Sequence, residues 1–260
     1  EGKAINLYRN NGRSIRRFVV DSDWSFFDTL PWGQSLFISG VYKGVFYHLS
    51  EKKNDLNVDK NDHPFDHNRS ACHAMGKNES RSLVHHNALF FAESRWPLYH
   101  HWGTWTPVMQ LIVTPPAMNI FDAPNEDSQV ILFDDRNLFD QTRYLGYDRL
   151  DRCSRLNYGY EWLHMGQDGH ASFLIGQSYA FSKPNDDLLP VGVRKGFSDI
   201  VLRANWNRND HDIAYRVRLN PYSKQMNFQD MTWSFGSKKL YFLGTYEFFK
   251  EKKFCHSGSM

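Results

Sequence analysis

Apolar and polar residues alternate with period two along much of the chain, the spacing of a β-strand with one greasy face and one wet face. The clearest run is His211 to Asn220, where Ile213, Tyr215, Val217 and Leu219 fall on one side and Asp212, Arg216, Arg218 and Asn220 on the other. Asp199 to Asn207 behaves alike, with Ile200, Leu202, Ala204 and Trp206 opposite Asp199, Arg203, Asn205 and Asn207; Asn207 to Asp210 then reads as a tight turn. Upstream, Leu156, Tyr158, Tyr160 and Trp162 alternate with Asn157, Gly159 and Glu161. After a turn at Gly166 to Gly169, the strand from Ser172 to Phe181 sets Phe173, Ile175, Tyr179 and Phe181 against Ser172, Gly176 and Ser178. These segments of about ten residues match the length of a tilted strand crossing a bilayer.

The pattern continues in both directions. After Pro221, Met231, Trp233 and Phe235 flank Thr232 and Ser234, and a turn at Gly236 to Lys239 leads into a strand from Leu240 to Phe249. Toward the N-terminus, Ser14 to Phe27 places Phe18, Val20, Trp24 and Phe26 opposite Arg17, Asp21 and Asp23, with Gln34 to Leu49, Leu83 to Trp96 and Trp105 to Thr114 as further strands. The helical period fits none of them. Residues Ser50 to Ser82 are dense in Lys, Asn, Asp, His and Ser and predict a long exposed loop. Loops of that length are uncommon inside compact soluble domains and usual on outer-membrane barrels.

Composition narrows the class. Aromatic residues make up 16% of the 260, with 20 Phe, 13 Tyr and 8 Trp, yet 23% are charged and mean hydropathy is −0.61. Aromatic girdles outside and a polar lumen inside produce that mixture. Tyr and Trp near strand ends, such as Trp206, Tyr215, Trp162 and Tyr179, suit a membrane–water interface. No apolar run reaches the roughly 18 residues of a membrane-spanning helix, and no basic and apolar leader pattern follows Glu1, so a secretion signal is absent or was removed. Altogether the pattern predicts an all-β fold, an antiparallel transmembrane β-barrel.

Charge and candidate chemistry add exclusions. A formal net charge of +2 gives no basic stripe for a nucleic acid. The cysteines Cys72, Cys153 and Cys255 are odd in number and far apart, which leaves their pairing open. His63, His67 and His73 share a loop with Cys72, and His85-His86 and His100-His101 are paired, but none matches an established metal-ligand spacing. Ser172 with His170 or His164 lacks the G-x-S-x-G elbow of a lipid hydrolase. No metal, cofactor or catalytic residue is expected.

The segment from 115 to 155 is neither strand-like nor low in complexity. Carboxylates at Glu126, Asp127, Asp134, Asp135, Asp148 and Asp151 are interleaved with Arg136, Arg143, Arg149, Arg152 and Arg155, a set able to neutralise itself inside a wet cavity because Arg forks match carboxylates. Its short motifs are Asn125-Glu126-Asp127-Ser128, Phe133-Asp134-Asp135, Asn137-Leu138-Phe139, and Arg143 followed by Gly146-Tyr147-Asp148-Arg149. Arg155 with Tyr158-Gly159, and Gly176-Gln177-Ser178-Tyr179, continue the series. In order and spacing this series resembles the barrel of the LptD family of lipopolysaccharide-assembly proteins, most clearly from Trp96 to Phe249, faintly before that and not in 50–82. The Ser198-Asp199-Ile200-Val201 and Pro107-Val108-Met109-Gln110 runs also fit.

The resemblance implies an integral protein of the Gram-negative outer membrane that inserts lipopolysaccharide into the outer leaflet without covalent chemistry. It also implies an LptE-like lipoprotein plug and an LptA-like periplasmic bridge as partners, beside outer-membrane lipid. The whole of 1–260 is then barrel wall, with a polar loop at 50–82 and a motif-bearing insertion at 115–155. The family's N-terminal jelly roll is not found and its barrels have more strands, so a segment of a larger barrel, or a degenerate copy, is expected. Arg203, Arg216 and Arg218, on predicted lumen faces, suit transient phosphate contact, or else pairing with lumen acids such as Asp199 and Asp212. A porin or ligand-gated receptor and a soluble β-sandwich binding module are the alternatives. The translocon reading requires the 124–155 segment to be an ordered insertion packed at the lumen, where a simple porin would have an ordinary extracellular loop.

Overall fold

The computed structural model describes residues 2–7, 12–52, 80–115, 129–130, 132–145, 153–181, 192–237 and 240–250. The elements are β1 (Gly2–Leu7), β2 (Gly12–Thr29), β3 (Ser35–Lys52), β4 (Ser80–Arg95), β5 (Leu98–His100), β6 (Gly103–Val113), β7 (Gln129–Val130) and β8 (Tyr144–Leu145). They continue with β9 (Arg155–Met165), β10 (Gly169–Ala180), β11 (Gly196–Phe197), β12 (Ile200–Arg208), β13 (His211–Asn220), β14 (Gln225–Ser237) and β15 (Leu240–Phe249). Thirteen of these strands form one sheet in the order β1-β2-β3-β4-β6-β9-β10-β12-β13-β14-β15, with β5 on β6 and β11 on β10. Every pairing is antiparallel and the strand order follows the chain, an up-and-down meander with β5, β7–β8 and β11 lying in the connections. β1 and β15 are its two edges, and no helix of the described residues is long and apolar enough to cross a membrane.

Register carries the alternation across the whole sheet. One face collects Phe18, Trp24, Phe26, Tyr42, Phe46, Phe90, Met109, Tyr160, Trp206, Trp233 and Phe235, all exposed. The opposite, polar face carries Gln110 beside Asn157 and Asn157 beside Ser178, with Arg203 beside Arg216 and Arg216 beside Asp230. Large aromatic side chains on the outward face of a sheet whose other face holds the charges are the arrangement of a lipid-facing barrel wall.

The strand ends differ from the sequence-based expectation in three places. β3 and β4 run into the polar stretch, to Lys52 and from Ser80, because backbone pairing continues through residues whose side chains carry no apolar signal; residues 53–79 lie outside the described set. At 18, 18 and 16 residues, β2, β3 and β4 are far longer than β13 or β15 at 10. A bilayer crossing needs only about 9–11, so these three strands continue well past the apolar band. Finally, Tyr215 sits mid-strand, opposite Ala204 and Met231, and belongs to the band's centre, away from its rim.

The long connections all lie at one end of the sheet, which also carries the short turn at 221–224 between β13 and β14. They are residues 53–79, the segment between β6 and β9 and the one between β10 and β12. At the other end lie tight turns: Leu30 to Gln34, where Gly33 takes φ 84°, Gly166 to Gly169, and Asn209-Asp210, where Asn209 takes φ 51°. The polar face is also less uniform than alternation predicts: Ile15, Val19, Val45, Tyr47 and Leu49, with Leu83, form a buried apolar cluster on its long-loop end in β2–β4.

Candidate functional site

The described part of the connection between β6 and β9 lies folded on the polar face of the sheet. Its stem is the short β7–β8 ladder, Gln129 opposite Leu145 and Val130 opposite Tyr144, which sequence reading did not anticipate. Above the stem the chain closes on itself: Asn137 Oδ1 accepts from Asp134 N (3.0 Å), Asn137 Nδ2 donates to Leu132 O, and Asp134 accepts from the backbone and side chain of Arg136 (2.9 and 3.1 Å). This self-contained turn presents Phe133, Leu138 and Phe139 to the wall.

The wall receives them through two missing side chains. Gly159 of β9 and Gly176 of β10 are register partners, and together they leave a notch. A Cβ on Gly176 would overlap Leu138, and one on Gly159 would come within 3.3 Å of Phe139 Cζ. Leu138 is 0% and Phe133 1% exposed, packed with Leu174, Val193 and Val201. At about 25 cal/mol per Å² of apolar surface removed from water, burying two such side chains is worth roughly 3–6 kcal/mol.

Polar groups complete the clasp. Arg155 Nη2 donates to Asp140 O and Gln141 O (3.0 Å each), Arg143 Nη2 to Ser178 Oγ (2.6 Å), and Arg218 Nη1 to Phe133 O (2.9 Å). Gln110 Nε2 donates to Phe139 O and Asn157 Nδ2 donates to Gln110 Oε1. Arg95, which pairs with Glu93 (2.6 Å) and Glu161 (3.0 Å), stacks over the Phe139 ring. A second set of ion pairs flanks the insertion: Arg203 to Asp135 (3.4 Å), Arg216 to Asp230, and Arg218 Nε to Asp199 (3.5 Å), with Asp199 also held by Arg194 and by Asn227 Nδ2 (2.7 Å). Burial pushes the carboxyl of Asp135 above its ordinary range, and Asp134 pushes it further; Arg203 and Arg216 pull it back only in part. Asp140 is raised for the same two reasons, eased by Arg155.

The structure thus brings Phe133, Asp134, Asn137, Leu138, Phe139, Arg143, Arg155, Gly159, Gly176 and Ser178 into one site, with Arg203 and Arg218. Arg155, at the limit of the insertion in the sequence-based reading, is the first residue of β9. Tyr158, Gln177 and Tyr179 face the other way: Tyr158 OH donates to Gln177 (2.7 Å), and Tyr179 packs edge-on against Phe197 at 4.9 Å. Asn125, Glu126, Asp127, Ser128, Gly146, Tyr147, Asp148 and Arg149 lie outside the described residues, as do Cys72 and Cys255; Cys153 is buried. Sequence reading missed Arg95 and Glu93 and named Gln110 only within a family-like run; their places on the polar face follow from register with Glu161 and Asn157.

The model of one family, described as LPS transport system D, matches residues 1–253. The chain belongs to the LptD family. None of the curated proteins matches it. LptD proteins act in lipopolysaccharide transport and assembly at the outer membrane, a transport family and no enzyme family. The match begins at residue 1, so family character reaches the N-terminal strands, where the motifs alone gave only a faint resemblance.

Proposed function

We propose that this LptD chain forms part of the outer-membrane barrel wall past which lipopolysaccharide is delivered to the outer leaflet, and that residues 132–145 are a gate seated on its polar face. The observation that carries this reading is the glycine notch. The two facing glycines let β9 and β10 approach closely, a Cβ on Gly159 meeting Ile175 O and one on Gly176 meeting Tyr158 O, and the space they leave at Gly176 receives Leu138 of an ordered insertion with Phe139 beside it. An insertion clasped by one apolar seat and several single hydrogen bonds is able to leave and return as a unit.

In this reading the sugar-phosphate part of the glycolipid travels along the polar face and the acyl chains stay with lipid. Arg203 is the arginine suited to a passing phosphate. It holds Asp135 through Nη1 alone, at 3.4 Å, and its Nε has no hydrogen-bond partner among the described residues. Arg216 and Arg218, held by Asp230 and Asp199, keep the wall's charge balanced. An LptE-like lipoprotein on the lumen side and an LptA-like bridge at the short-turn, periplasmic end are the partners this orientation supports, because short turns of such barrels face the periplasm.

Gly176→Phe tests the gate. Overpacking of this kind costs about 1–3 kcal/mol or more, which should unseat the insertion while the outward face stays intact. Proteolysis within 132–145 should increase, and delivery of lipopolysaccharide to the cell surface should fall. An unseated insertion with unchanged delivery and altered small-solute permeation would favour a porin instead.

A further inference from the structure

On the aromatic face, at the long-loop end of β1–β4, register lines up two adjacent rows of opposite character. Ala4, Phe18, Phe46 and Val84 form one row, and Asn6, Arg16, His48 and Ser82 form the next. Beyond them Ser14, Ser50 and Ser80 align as a third. The first row is the end of the apolar band: Phe18, Phe46 and Val84 are 48%, 45% and 50% exposed, with the two rings 6.2 Å apart. The second is where the strands leave it. A groove of about 680 Å³ follows this boundary, floored by the apolar row and rimmed by Arg16 and His48. His48 Nδ1 is linked to Ser82 Oγ at 3.1 Å, which fixes the imidazole on the rim.

The charge in these rows is that of Arg16. Among the described residues no carboxylate lies on this face in these rows; Asp21, Asp23 and Glu93 fall on the opposite face by register, and Asp28 is at the far end of β2. Arg16, flanked by the imidazole of His48 and the amide of Asn6 one row above an apolar floor and followed by a row of hydroxyls, matches a lipid whose acyl chain is topped by a phosphate and then by sugar. We propose that the groove is a binding site for a phosphorylated glycolipid of the outer leaflet: acyl chain across Phe18, Phe46 and Val84, phosphate on Arg16 and His48, sugar hydroxyls on the serine row. It lies on the face opposite the gate and rests on the membrane-wall part of the reading above, independently of the gate.

The test is native mass spectrometry of the full chain in detergent with bisphosphorylated lipid A, dephosphorylated lipid A and inorganic phosphate, comparing wild type, Arg16→Ala/His48→Ala and Arg16→Lys. Heat-modifiable gel mobility reports that each variant is folded. Wild type should retain bisphosphorylated lipid A at least tenfold better than the double variant, since a charge-assisted hydrogen bond is worth about 1.5–3 kcal/mol. Arg16→Lys should keep most of that retention, and the dephosphorylated lipid should be lost from all forms. Equal retention by the folded double variant, equal retention of dephosphorylated lipid, or full displacement by inorganic phosphate would each overturn the site. Retention intact alongside failed delivery in the Gly176→Phe experiment bears on the gate alone.

Discussion

Asp135 carries a carboxyl that the site holds above its ordinary range, because burial and Asp134 outweigh Arg203 and Arg216. A carboxyl whose pKa rises on docking binds its proton better docked than free. Its contribution to holding the insertion is therefore complete below the ordinary range, about pH 4, and is lost as pH climbs through the raised value. Protease cleavage within 132–145 should accelerate as pH is raised above about 4, and Asp135→Asn should weaken that dependence, leaving the part that belongs to Asp140. A wild-type rate independent of pH would mean that Asp135 does not couple to docking. Little of this was legible beforehand: the sequence shows an acidic-basic mixture, but which acid meets which arginine depends on strands far away in the chain. Arg218, for example, reaches Phe133 O across 85 positions.

At the level of elements, the strands were readable because lipid imposes a single rule on every outward position. Asp199 to Asn207 and His211 to Asn220 could be faced correctly from alternation alone, and their register bears this out, Arg203 standing beside Arg216 and Leu202 beside Val217. The insertion was readable as a motif and not as a packing unit, since its seat is made by the absence of side chains at Gly159 and Gly176, and an absence has no periodicity. The cluster of Ile15, Val19, Val45, Tyr47 and Leu49 escaped for the converse reason. Val19 and Val45 sit inside the apolar band, so both faces are apolar there and alternation is lost, while at Ile15 and Leu49, past the band, the outward neighbours are polar and the apolar residues turn inward. The lipid rule itself is testable at mid-band. Tyr215→Arg should destabilise the folded chain by about 2–4 kcal/mol, the cost of a cation at the bilayer midplane. Thr232→Lys, on the polar face beside Ala214, should cost far less. Urea unfolding in lipid vesicles measures both; equal effects would show that the two faces do not differ in solvent.

Across the whole molecule, the sheet keeps edges at β1 and β15 whose backbone donors and acceptors hydrocarbon cannot satisfy, so in a membrane each edge must pair further. Charge is divided between the two surfaces rather than spread. The ion pairs around the insertion use both signs and largely cancel, while the outward boundary carries Arg16 with no carboxylate in its rows among the described residues. The proposed gate and the proposed lipid groove thus lie on opposite surfaces, and mutation can test each apart from the other.

The facing glycines also set a clock. The seat for Leu138 does not exist until β9 and β10 have paired, and the clasp from Arg203 and Arg218 waits for β12 and β13, although residues 132–145 precede all four strands in the chain. Docking is thus the late step of assembly, a seal applied after the wall is built. In refolding followed by pulsed proteolysis, protection of 132–145 should lag behind protection of the β9–β10 hairpin. Simultaneous protection would show that the insertion templates the wall it sits on.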